Sequence, residues 1–191
     1  MVEVYLVRHG ETDWNKNNLC QGHKDNPLND YGRECAHNLG RKMKEQNLHF
    51  DVFMCSPLTR TKETLEIIKE ELGKESEPTI LNPDFIERDF GDLEGETTFF
   101  VREVISRNEA TNYRGYESDE HLEKRVYLGM LDLQKYQGKK VLIICHSHSI
   151  KGLITYLEPS KYSFKTPLDN LNVSRFEVKD NRVKLKDLHY L

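Results

Sequence analysis

Five consecutive apolar residues, Val141-Leu142-Ile143-Ile144-Cys145, constrain the fold of this chain more than any other feature. A strand with one wet face alternates apolar and polar residues. An unbroken run of this kind is buried on both faces, as in a parallel sheet covered by helices on either side. The rest of the chain keeps that rhythm. Val2-Glu3-Val4-Tyr5-Leu6-Val7 and Asp51-Val52-Phe53-Met54-Cys55 read as further strands, and Ile80-Leu81 as a short one. Helical stripes fall between them. Cys35/Ala36, Leu39 and Met43 mark a helix over about 30–46. Leu65, Ile68 and Leu72 mark one that Ser56-Pro57 would open, since Ser caps and Pro suits a first turn. Further helices are predicted over 96–107, from a Ser118 cap to about Tyr136, and over 149–157. Strands near 172–178 and 182–188 would form a hairpin across Lys179-Asp180-Asn181. The order predicts an α/β fold, a three-layer sandwich whose central sheet is mostly parallel with helices on both faces. A length of 191 residues suits one domain over 1–191, with an excursion at about 97–117.

Composition narrows the partners. The net charge is −4, with no basic block or stripe, which argues against nucleic acid. No stretch approaches the roughly 20 apolar residues of a membrane helix, and Arg8 and His9 interrupt any leader-like segment. The four cysteines, Cys20, Cys35, Cys55 and Cys145, are scattered and read as reduced thiols, which points to the cytoplasm.

Sheets of this class bind ligands beyond the carboxyl ends of their strands. The chemically distinctive residues fall there. Arg8 and His9 follow the first strand, Arg60 lies in the first turn after the second, and His146 follows Cys145 directly. Gly10 lets the chain turn where a side chain would collide, and helix starts bring free N–H groups to the same edge. A neutral imidazole beside a guanidinium is suited to attack phosphorus while the arginine balances oxygen charge. A small anionic substrate is therefore expected despite the negative net charge. His146 and His148 form an H-x-H pair, but no third ligand has suitable spacing, so no metal is expected.

The string Leu6-Val7-Arg8-His9-Gly10-Glu11-Thr12 resembles the signature of the histidine phosphatase superfamily, also called the phosphoglycerate mutase-like family. The resemblance implies that His9 is the nucleophile, that Arg8 and Arg60 hold the phosphate, and that His146 donates to it. Asn15 is similar to the family's polar phosphate contact. Glu87-Arg88-Asp89-Phe90-Gly91-Asp92-Leu93-Glu94-Gly95 matches the family's E-x-x-F/Y-G-x-x-E-G segment and implies Glu87 as the proton donor, with Asp89 as rival. Gln21 to Leu28 resembles the Q-G-x-x-D-x-P-L loop and makes Gln21 and Gly22 substrate-side candidates. Three positions depart from the pattern. Ser147 replaces the usual glycine and offers a phosphate-binding hydroxyl, His148 is an added histidine, and Lys151 stands where arginine is common.

The implied activity is metal-independent, cofactor-free phosphomonoester hydrolysis through phosphohistidine, on a small-molecule phosphate ester. A homodimer is compatible with it. The alternatives are a phosphoglycerate mutase and a non-catalytic phospholigand-binding domain. The family's mutases run longer and carry an adjacent arginine pair after the acid motif. Here Arg102, Arg107 and Arg114 are dispersed. The 97–117 insert would cover the pocket and choose the leaving group, with Arg102 as the substrate contact. Phe99 and Phe100 would either flank that pocket or pack the helix onto the core.

Overall fold

The computed structural model describes residues 1–191. Six strands form one sheet: β1 (Val2–Arg8), β2 (Val52–Cys55), β3 (Thr79–Leu81), β4 (Lys140–Cys145), β5 (Val173–Lys179) and β6 (Arg182–Asp187), in the spatial order β3-β2-β4-β1-β5-β6. β1 to β4 are mutually parallel, with Val52 and Val4 both opposite Val141, and Leu6 opposite Ile143. β5 and β6 add an antiparallel edge. The mixed, mostly parallel sheet predicted from the alternation is therefore what forms.

The helices make the outer layers: α2 (Asp30–Glu45), α3 (Thr59–Leu72), α5 (Asp119–Asp132) and α6 (Ser147–Leu157). Alternate residues of β4 divide between them. Val141, Ile143 and Cys145 pack with Val126 and Met130 of α5 and Ile150 and Leu153 of α6. Leu142 and Ile144 pack with Leu39 and Met43 of α2 and Leu65 and Ile68 of α3. This two-sided burial explains the unbroken apolar run.

The topology places a crevice. β1 and β4 are neighbours, yet the chain leaves β1 for the α2 face and leaves β4 for the α6 face. Such a divergence opens a cleft at the carboxyl end of the sheet. Arg8-His9 and His146 stand at it.

Several local expectations shift. Ser56-Pro57 does not open α3, which begins at Thr59 after Leu58, with no side-chain cap. Ser56 has a tertiary partner instead, as described below. α6 starts two residues early because His146 takes the extended N-cap conformation. The predicted helix to Tyr136 is α5 plus a 3₁₀ turn over Leu133–Tyr136. The loop after β1 contains a four-residue helix, α1 (Asp13–Lys16), closed by a capping box between Thr12 and Asn15. Ala36 rather than Cys35 carries the buried stripe of α2. The last hairpin turns through Asp180 and Asn181 at φ 50° and 55°, the left-handed pair of a type I′ turn.

The insert has its own small core. Helix α4 (Thr98–Ser106) packs Val101 and Val104 against Cys20, Phe90, Leu93 and Ala110. Bridges from Leu19 to Thr97 and from Phe90 to Tyr116 tie both its ends to the loops below. Phe99 and Phe100 are 72% and 38% exposed, so neither anchors the helix to the core.

Candidate active site

The Arg8-His9-Gly10 corner is held by backbone geometry. A Cβ at Gly10 would stand 2.8 Å from the Gly32 carbonyl oxygen, so close approach of α2, not an unusual φ, demands glycine there. The Gly10 N–H donates to Thr64 Oγ1 at 3.1 Å. His9 is buried, and its Nδ1 lies 2.7 Å from the Gly10 carbonyl oxygen. A carbonyl only accepts, so Nδ1 carries the proton and Nε2 carries the lone pair. Burial, followed by the charges of Arg60 and Arg8, holds the His9 pKa well below the ordinary imidazole value. The ring is therefore neutral at physiological pH.

Arg8 and Arg60 are fixed by backbone carbonyls. Arg8 donates to Leu168 O at 2.6 Å. Arg60, wholly buried, donates to Gly22 O at 2.7 Å and Lys24 O at 2.9 Å. Burial lowers Arg60 to about 10, which leaves it charged at neutral pH. Gly22 serves by its backbone. A Cβ there would meet Glu94 Oε1 at 2.3 Å and Arg88 O at 2.7 Å.

His146 lies across from His9, with ring centroids 5.2 Å apart. Its Nε2 is 2.7 Å from Ser56 Oγ, and Ser56 Oγ is 3.0 Å from Thr61 Oγ1. Its Nδ1 is buried without a partner, as are Arg8 Nε and Arg60 Nε. Burial and the charge of Arg60 keep the His146 pKa well down.

Glu87 does not sit at a strand end. After β3 a 3₁₀ turn, Pro83–Phe85, carries the chain inward. Arg125 of α5 then holds that segment by donating to the carbonyls of Asp84 (2.8 Å) and Ile86 (3.0 Å). Ser149 of α6 donates to Ile86 O at 2.8 Å. Glu87 is 5% exposed, and its Oε1 accepts from Arg88 N at 2.9 Å and His148 N at 3.0 Å. Desolvation raises its pKa and outweighs the Arg88 N–H bond and the nearby arginines. Two donors on Oε1 leave Oε2 as the oxygen for a proton.

The structure thus brings Arg8, His9, Arg60, Glu87 and His146 together. The other named residues differ in place. Asn15 Oδ1 accepts from Thr12 N at 3.2 Å and lies 3.4 Å from Asn170 Nδ2, which donates to His9 O. Gln21 Oε1 accepts from Thr12 Oγ1 and Asn26 Nδ2, so its buried side chain braces the loop. Ser147 is the half-buried first residue of α6, and Arg102 is exposed on α4. Asp89 accepts from Gly91 N with Oδ1 at 2.8 Å, and its Oδ2 lies 3.7 Å from His23 Nδ1. Ser56, Arg125, His23 (Nε2 to Glu87 O, 2.9 Å) and Asn170 escaped sequence reasoning, because each acts across more than 30 residues of chain. His148 is half-buried, its ring 5.0 Å from that of Phe90 and 5.3 Å from that of Phe164. No cluster of three or more His, Cys, Asp or Glu side chains stands close enough to hold a metal ion. A surface cavity of about 580 Å³, bordered by Arg33, Glu63, Glu66 and Glu70, is lined by none of these residues. No helix is long and apolar enough to cross a membrane.

Comparison with known proteins identifies the family and the fold. The family model described as histidine phosphatase superfamily (branch 1) matches residues 4–190. A protein of Bacillus subtilis (strain 168), the uncharacterized phosphatase PhoE, is 38% identical over 191 residues, covering 98% of this chain and 94% of that protein. A 2,3-bisphosphoglycerate-dependent phosphoglycerate mutase of Bradyrhizobium diazoefficiens is 37% identical over 166 residues, covering 81% and 80%. Among solved structures, a phosphoserine phosphatase of Entamoeba histolytica in complex with 3-phosphoglyceric acid superposes with a TM-score of 0.83. It is 25% identical, covering 100% of this chain and 98% of that one.

Proposed function

Because the chain belongs to the histidine phosphatase superfamily, we propose that it is a phosphomonoester hydrolase acting on a small phosphorylated metabolite through a phosphohistidine at His9. One observation carries this reading. Three buried nitrogens without partners, Arg8 Nε, Arg60 Nε and His146 Nδ1, belong to residues gathered with the neutral imidazole of His9, the His146 ring lying 5.2 Å from it. Leaving a buried donor unpaired costs about 1–3 kcal/mol, and a phosphoryl group would satisfy all three at once.

The chemistry runs in two steps. His9 Nε2 attacks phosphorus, the ester P–O bond breaks, and the leaving oxygen takes a proton from Glu87 Oε2. Then Glu87 as carboxylate takes a proton from water, the water oxygen attacks phosphorus, and the P–Nε2 bond breaks to release inorganic phosphate. Throughout, the Nδ1–H bond to Gly10 O holds the ring in the reactive tautomer. Arg8 and Arg60 balance the oxygens, which supports metal-independent turnover. The four free cysteines support a reducing compartment, the cytoplasm, as the place of action.

Ser56 has a part in this scheme. When phosphate oxygens face His146 Nδ1, that nitrogen must donate, so Nε2 must accept from Ser56 Oγ. Ser56→Ala removes that donor and is expected to lower kcat/KM about tenfold or more, equivalent to about 1.4 kcal/mol. Steady-state phosphate release from the purified variant checks this, and an unchanged value would remove Ser56 from the scheme.

The second reading is a phosphoglycerate mutase, favoured by the 37% identity to a protein of that name. Against it, the three insert arginines, Arg102, Arg107 and Arg114, are dispersed, with no adjacent pair. The deciding experiment is phosphate release over a panel of phosphomonoesters with EDTA present. Release is expected from at least one ester. No release, together with isomerisation of 3-phosphoglycerate after priming with a bisphosphate, would overturn the hydrolase reading in favour of the mutase.

A further inference from the structure

One short loop touches both the acid and a phosphate-holding arginine. Gly22 O and Lys24 O accept from Arg60 at 2.7 and 2.9 Å. His23 stands between those two residues in the chain, and its side chain reaches Glu87. His23 Nε2 lies 2.9 Å from the Glu87 carbonyl oxygen. A carbonyl only accepts, so Nε2 carries the hydrogen and donates. Residues 22–24 thus grip Arg60 through two carbonyls and the backbone of Glu87 through one imidazole.

The loop is fixed well enough to set a distance. Glu94 accepts from the N–H groups of both His23 and Lys24 with its two oxygens. Asp25 accepts from Thr59 N at 2.7 Å and Thr59 Oγ1 at 2.9 Å, one residue before Arg60. Glu87 O has no second donor of equal quality. Arg125 Nη2 stands 3.5 Å away, at the limit of hydrogen bonding, and donates at 2.8 Å to Glu117 Oε2. His23 also falls on an open position of the Q-G-x-x-D-x-P-L pattern, so the family resemblance assigns it no role. We propose that His23 is a positioning residue for the acid. Its Nε2–H keeps Glu87 in register with the Arg60 that holds the phosphate, so that the carboxyl meets the leaving oxygen. The proposal rests on the phosphohistidine scheme above and adds a residue to its first step.

The test follows that step. Rapid-quench labelling measures how fast phosphate appears on the chain from p-nitrophenyl phosphate and from the best alkyl ester of the panel. The His23 side chain is 41% exposed, so trimming it leaves no cavity in the core. His23→Ala is expected to slow phosphorylation by the alkyl ester about tenfold, as a displaced proton donor would. With p-nitrophenyl phosphate, whose leaving group needs no proton, the loss should stay below about threefold. His23→Gln, whose amide Nε2 can donate to the same oxygen, should return the alkyl rate to within about threefold of wild type. In a Glu87→Gln background, His23→Ala should cost less than about threefold on the alkyl ester, because no acid remains to be positioned. An equal loss on both esters, a His23→Gln variant no better than His23→Ala, an undiminished loss in the Glu87→Gln background, or no loss at all overturns the assignment. The hydrolase reading fails differently. It fails if the wild type forms phosphohistidine yet releases no inorganic phosphate, and the His23 comparison still reads in that case because it concerns the first step alone.

Discussion

His9→Ala is expected to reduce phosphate release by about four orders of magnitude or more, with substrate affinity changed far less. No other group near the site can replace the nucleophile. His146 presents Nδ1 to the cluster, but its Nε2 is bonded to Ser56 Oγ at 2.7 Å and its ring is fixed by burial. Arg8 and Arg60 are oriented by the carbonyls of Leu168, Gly22 and Lys24, not by His9, so the phosphate contacts survive the substitution. Rapid-quench labelling of the wild type should trap acid-labile, base-stable phosphate on the chain. The variant should trap none while still binding the ester. Residual turnover above about 1% of wild type would require a nucleophile other than His9.

The second large effect belongs to Glu87. Glu87→Gln keeps the shape and an oxygen to accept from the N–H groups of Arg88 and His148, so the fold is expected to persist. The loss should depend on the leaving group. For alkyl esters, whose alkoxide needs a proton, the phosphorylation step is expected to fall about 10²- to 10⁴-fold. For p-nitrophenyl phosphate, whose phenolate leaves unaided, that step should fall less than about tenfold. A stopped-flow burst separates the step from hydrolysis of the phosphoenzyme. A uniform loss on both ester types would remove Glu87 from the acid role.

The same residues set a sign for pH. Phosphorylation needs neutral His9 and protonated Glu87. The imidazole has its pKa lowered, so this requirement is lost only as pH falls well below the ordinary histidine value. The carboxyl has its pKa raised, so its proton is lost as pH rises above the usual glutamate range. The rate of the first step should therefore decline on the basic side through the raised Glu87 value, and Glu87→Gln should abolish that limb.

Much of this was legible in the sequence. The unbroken run Val141–Cys145 and the 3.6-residue stripes identified the sheet class. Burial on two faces and amphipathic covering both act through local spacing, which a sequence displays. Arg8, His9, Arg60 and His146 were legible as well, because a parallel sheet delivers the residues after its strands to one edge. Glu87 needed its nine-residue motif, since no strand ends on it.

What the sequence determined by itself is therefore the layered fold and the residues that meet at the carboxyl edge. The tertiary structure alone decided their states. It tied Ser56 to His146 instead of to a helix cap, clamped the Glu87 segment with Arg125, and gave His9 and Glu87 opposite pKa shifts by burying both. Desolvation and ion pairing depend on neighbours 30 or more residues away in the chain, and local patterning holds no record of them.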